Sequence, residues 1–143
     1  MKDFNIILDT AMEKGKAAMN SCKPTPQHFY PADLSGKSLG KGTVESEGDC
    51  GGAYIRNIQY NSDIYKFFKS IAKSNGMTGA NADFRLENGI NLRKDVYKGY
   101  TLHFPTNKIY NGQSHKRYKA FYEAAAEVLK SEGVSCSVRD YLT

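Results

Sequence analysis

Residues 112–142, GQSHKRYKAFYEAAAEVLKSEGVSCSVRDYL, constrain the fold more than any other part of this chain. They read as one amphipathic helix followed directly by one strand. Tyr118, Phe121, Tyr122, Ala125, Val128 and Leu129 recur at the spacing of a helix stripe packed on a core. Lys116, Lys119, Glu123, Glu127 and Lys130 take the other side. Ser114 is the expected N-cap, the run from Ala124 to Ala126 adds helix propensity, and Gly133 stands where a helix C-terminal cap belongs. Val134, Cys136 and Val138 then alternate with Ser135, Ser137 and Arg139, the pattern of a half-buried strand. A helix laid against a sheet follows.

The rest of the chain extends this scheme. A second amphipathic helix is expected over 3–21, with Phe4, Ile7, Leu8, Ala11, Met12 and Ala18 on its apolar side, ending before Pro24 and Pro26. Residues 23–48, rich in Pro and Gly, show no periodicity and read as a loop that is either functional or, the favoured reading, a mobile surface excursion. CGGAYIRNIQY reads as a strand, with Gly51 and Gly52 marking a bulge or a close approach by a neighbour or ligand. Ser62 caps a helix whose stripe is Ile64, Phe67, Phe68 and Ile71, running toward Gly76. Asn88-Gly89, set between Phe84, Leu86 and Ile90, Leu92, predicts a two-residue hairpin, with a short helix over 82–87 as the competing reading. YKGYTLHF is another strand, closed by Pro105. The order helix, strand, helix, hairpin, strand, helix, strand predicts an α/β chain of the α+β type. Its architecture is a two-layer sandwich with amphipathic helices on a sheet of roughly three to five strands. The expectation is a single domain over 1–143 with its α/β core at 49–143, and no internal repeats.

Composition narrows the chemistry. The chain has 143 residues, with Lys plus Arg at 20 against 15 Asp plus Glu, a net charge of +5 that favours an anionic partner. Cys22, Cys50 and Cys136 fit neither a disulfide framework nor a CxxC metal site, which points to a reducing cytoplasm. Neither a signal peptide nor a membrane span is expected, since no apolar run is long enough.

Gly36-Lys37-Ser38 ends like a phosphate-binding loop, but Pro31 occupies the position of that motif's first glycine and no apolar strand precedes it. Cys50 could act as a nucleophile with His28, His103 or His115 as its base; a free cysteine is otherwise a small buried hydrophobe. Neither a metal site nor a cofactor is expected, the histidines lacking ligand spacing. The start of the last helix carries the best local argument for a binding site. His115, Lys116 and Arg117 cluster where the helix dipole favours anions, and with Gln113, Ser114 and free backbone N–H groups they would cradle a phosphate or carboxylate. The alternative is that these side chains point into water. Interleaved Tyr97-Lys98-Gly99-Tyr100 and Arg117-Tyr118-Lys119 offer base stacking along a basic groove, although Tyr118 also belongs to the core stripe.

The motifs EKGKAAMNSCKPTP, EGDCGGAYIRNI and the 112–142 stretch together resemble a set of small uncharacterised bacteriophage proteins. These share an EGxCGxA-aromatic strand and a C-terminal GQS helix. The chain departs from that pattern at Gly52, where an aromatic is usual, and at Tyr141-Leu142-Thr143, which extend past the usual end. The resemblance lends no catalytic residues. It implies a phage product in the host bacterial cytoplasm. The expected role is that of a non-catalytic accessory protein, acting in counter-defence by binding a nucleotide signal, a nucleic acid or a host defence protein. A homo-oligomer would be natural. The alternatives are a small thiol- or His-dependent hydrolase and a minor virion component.

Overall fold

The computed structural model describes residues 2–22, 27–29, 44–46, 50–110, 112 and 114–142, with 27–29 and 44–46 described as backbone only. Helix α1, Phe4–Ser21, starts at Asp3, whose carboxylate accepts from Asn5 N at 3.0 Å and Ile6 N at 3.4 Å. It buries Phe4, Ile7, Leu8, Ala11, Gly15 and Met19. Strands β1, Gln27–Phe29, and β2, Val44–Ser46, pair antiparallel inside the segment read as an aperiodic loop. The remainder of that loop lies outside the described residues.

Strand β3, Gly51–Ile58, buries Ala53, Ile55 and Ile58. Simple alternation would put Ile55 and Ile58 on opposite faces. A register shift between them, with Asn57 at φ 65°, supplies the extra residue that turns both inward. Helix α2, Asp63–Ile71, is capped by Ser62 and buries Ile64, Tyr65 and Phe68. It stops short of the expected end near Gly76, because Lys73–Ser74 form strand β4. After a 3-10 turn at Gly79–Asn81, strand β5, Phe84–Arg85, and strand β6, Asn91–Lys94, pair as the expected hairpin. The loop holds three residues rather than two, since Leu86 N donates to Ile90 O at 2.9 Å across Glu87, Asn88 and Gly89. The competing helix over 82–87 does not form.

Strand β7, Tyr100–His103, begins later than expected: Asp95 N bonds Gly99 O at 2.9 Å, so Tyr97 and Lys98 belong to the turn before it. A short helix α3, Thr106–Ile109, leads to α4, His115–Ser131. Its predicted stripe is buried at Phe121, Tyr122, Ala125 and Leu129. Its end is closed by Gly133 N to Lys130 O and Val134 N to Leu129 O, both 3.0 Å, the paired bonds of a Schellman cap. Strand β8, Ser137–Leu142, follows.

The main sheet is antiparallel and six-stranded, in the order β4-β5-β6-β7-β3-β8. It exceeds the three to five strands expected because β4, at two residues, is too short to leave a periodic signature. Helices α1, α2 and α4 share one side of it, giving an α+β fold. Tyr65 packs on Phe84 and Tyr100, and Phe121 and Tyr122 on Phe104. Phe4 of α1 meets Phe67 of α2 at 5.6 Å between centroids. Gly15 is the contact point of α1 with α4: an added Cβ would lie 2.8 Å from the Phe121 ring. Glycine costs about 1 kcal/mol in a helix interior, and here that cost allows two helices to close over a full aromatic ring.

The inner layer also satisfies its polar atoms. Tyr65 donates to Gly79 O at 2.9 Å, Tyr100 to Ala80 O, and Tyr122 Oη accepts from Phe104 N at 2.9 Å. No described helix is long and apolar enough to cross a membrane.

Candidate functional site

The sequence-predicted residues fall in three places. At the start of α4, Ser114 is buried and its Oγ accepts from Arg117 N at 3.4 Å. His115 Nε2 lies 2.7 Å from Asp140 Oδ2 of β8, which holds that carboxyl below its usual range. Arg117 Nη1 donates to Met19 O at 2.8 Å, and its guanidinium lies over the Tyr110 ring at 5.6 Å. Lys116 is exposed, and Gln113 lies outside the described residues. The three basic side chains therefore diverge: one ties α4 to the edge strand, one ties it to the end of α1, and one faces water.

Gly51 and Gly52 do mark a close approach, and the neighbours are the chain's own. A Cβ on Gly51 would overlap the Tyr141 carbonyl oxygen, and one on Gly52 would meet Tyr141 Oη at 2.5 Å. Gly52 and Tyr141 are direct cross-strand partners. A ring reaching from one strand covers the glycine of the next, a known way of rescuing a side-chain gap in a sheet.

Cys50 is exposed and, among the described residues, makes no hydrogen bond to His103 or His115. The side chain of His28 is outside the described residues. His103 projects from the sheet, 2.8 Å from Thr101 Oγ1, with the Tyr54 ring stacked on it at 5.4 Å and 25°. Burial, with Arg93 second, lowers its pKa to about 4, so the ring is neutral at pH 7. Among the described residues, no three His, Cys, Asp or Glu side chains are grouped to hold a metal.

The arrangement with a chemical direction is the sheet face opposite the helices. Directly opposed residues of an antiparallel ladder project to the same face. The pairs Lys73 with Arg85, Arg85 with Asn91 and Asn91 with His103 carry one line from β4 to β7. The His103 stack on Tyr54 and the Tyr54 pairing with Arg139 take it on to β8. The full row reads Lys73, Arg85, Asn91, His103, Tyr54, Arg139. Beside it runs a second: Arg93 opposite Thr101, then Arg56 opposite Ser137. Neither row contains a carboxylate.

Lys73, Arg85, Arg93 and Arg139 are exposed. Arg93 Nε donates to Asn91 Oδ1 at 2.6 Å. Arg56 Nε is buried and has no hydrogen-bond partner. A donor in that state costs about 1–3 kcal/mol until an acceptor reaches it. A trough of about 720 Å³ is lined by residues from β4 across to Tyr141 of β8, and its walls include Lys73, Arg85, Arg93 and, from α3, Lys108. Among the described residues Asp83 is the one carboxylate lining it, and its Oδ1 is engaged by Lys94 N at 2.6 Å.

Sequence reasoning did not group these residues. The available signal was that the polar positions of successive strands, Tyr54 and Arg56, Arg93, Thr101 and His103, and Arg139, are basic, neutral or aromatic and never acidic. Comparison with protein-family models, with curated proteins and with solved structures returns no match.

Proposed function

We propose that this chain works by occupancy, binding an anionic ligand of nucleotide or nucleic-acid type on the outer face of its sheet. The observation that carries this reading is the pair of cross-strand rows holding Lys73, Arg85, Arg93, Arg56 and Arg139 with no carboxylate among them. Like charges so grouped repel one another and are relieved by an anion. The trough of about 720 Å³ is within the size range of small-molecule sites. In the setting implied by the phage resemblance, the ligand would be a host nucleotide signal or nucleic acid, and sequestration would be the effect. No observation favours the hydrolase alternative: Cys50 and His103 are not joined, and His103 is stacked and hydrogen-bonded as part of the face.

The test is calorimetric titration with inorganic polyphosphate and with a short oligonucleotide at about 50 and about 200 mM salt. The expected result is binding that weakens steeply with salt. The combined Lys73→Ser, Arg85→Ser and Arg93→Ser variant should bind at least about tenfold more weakly, as loss of several phosphate contacts requires. Equal affinity of the variant and the parent would overturn the placement.

A further inference from the structure

We infer that the outer face takes a single-stranded nucleic acid laid across the strands, with bases on the Tyr54–His103 stack and phosphates on the flanking cations. The inference rests on the anion-binding reading of this face and adds the ligand's class and orientation.

The first ground is length. The row from Lys73 to Arg139 crosses all six strands. Five spacings of ~4.8 Å make it about 24 Å long. One nucleotide would satisfy one end of such a row and leave the other unneutralised. A run of several nucleotides matches it, since single-strand sites span about 4–16 nucleotides.

The second is the order of side chains within the row. Lys73 and Arg85 stand at one end and Arg139 at the other, with Asn91, His103 and Tyr54 between. Charges flank rings, as a backbone with inward-turned bases requires. A neutral imidazole stacked at 5.4 Å on a phenol is an aromatic platform and carries no positive charge for a phosphate. Tyr141 lies 6.3 Å from Tyr54 and is 47% exposed, placing a second ring beside the first. Ring faces of this kind serve unpaired bases; in a duplex the base faces are already stacked on one another.

The third is Arg56. Its buried Nε has no partner, and it sits in the neighbouring row opposite Ser137. A phosphate or base oxygen arriving over β3 and β7 would supply the missing acceptor.

DNA and RNA share this chemistry, so both are used as probes. Fluorescence anisotropy of the full chain is followed with labelled oligothymidine and oligouridine of about 12 nucleotides, with a ~3-nucleotide version, and with a duplex of the same length. Inorganic polyphosphate is the competitor. The longer single strands should bind at least about tenfold more tightly than the short one and than the duplex. Tyr54→Ala should weaken them on the order of tenfold, and Tyr54→Phe should restore the parent affinity, because stacking needs the ring and not the hydroxyl. A preference for oligouridine over oligothymidine, or the reverse, with these ring and length effects intact supports the inference and names the natural polymer.

If Lys73→Ser and Arg85→Ser weaken both oligonucleotide and polyphosphate while Tyr54→Ala changes nothing, the face binds anions and the nucleic-acid inference is overturned. Equal affinity for duplex and single strand overturns it as well. If neither polyphosphate nor any oligonucleotide binds, the underlying reading falls with it.

Discussion

The two faces of the main sheet are built from alternate residues of the same strands and meet opposite physical demands. On the inner face, Ile55, Ile58, Tyr100, Leu102 and Leu92 are fully buried beneath α1, α2 and α4, and the tyrosine hydroxyls find backbone partners. One residue along each strand, the outer face collects Lys73, Arg85, Arg93, Arg56 and Arg139, and one of these keeps a buried donor unsatisfied. Burial of apolar area stabilises the first arrangement by about 25 cal/mol per Å². Mutual repulsion disfavours the second. The inner face accounts for the fold, and the outer face is a surface whose composition folding does not explain.

That contrast breaks most visibly at Phe121, which is fully buried between Gly15, Phe104 and Tyr122. Phe121→Ala should lower unfolding free energy by about 3–5 kcal/mol in urea titrations, the cost of a large aromatic cavity. A loss under about 1 kcal/mol would mean that α1 and α4 do not close on that ring.

A smaller effect links the faces through His103. Its folded pKa of about 4 lies below its ordinary value of 6.5. The unfolded chain therefore takes up a proton as pH falls through about 6.5, while the folded chain resists until about 4. The stability is complete above pH ~6.5 and is lost between there and pH ~4, by roughly 1–3 kcal/mol after allowance for partial exposure. His103→Gln should flatten this part of the stability profile, measured as urea midpoints at intervals from pH 7 to 4.5. An unaltered slope would show that the ring is not held neutral within the sheet face.

The smallest expected change in stability sharpens the comparison most. Lys73→Ser and Arg85→Ser, at exposed sites, should move the unfolding free energy by no more than about 0.5 kcal/mol. A clear gain in stability would be the mark of relieved repulsion. A clear loss would show that these side chains hold the sheet together.

Much of the fold was legible because its signals are local. The α4 stripe, its Ser114 cap and the Gly133 ending are all written within about twenty residues, at the helical period. The hairpin at Asn88-Gly89 was legible for the same reason, though the extra loop residue was not. The anion cradle at the start of α4 followed from adjacency along the chain. The structure instead separates those neighbours, since His115 is held by Asp140 and Arg117 by Met19, partners distant in sequence.

By itself, then, the sequence determined the three long helices, most of the strands and which side of each strand is polar, because a helix period or a strand alternation needs only near neighbours. Tertiary structure alone decided that β3 lies between β7 and β8, that Tyr141 covers Gly52, and that Lys73, Arg85, His103, Tyr54 and Arg139 fall on one line. The physical reason is that strand order and register are set by contacts between residues far apart in the chain. A slip of one residue in any one strand would turn its part of that line to the other face.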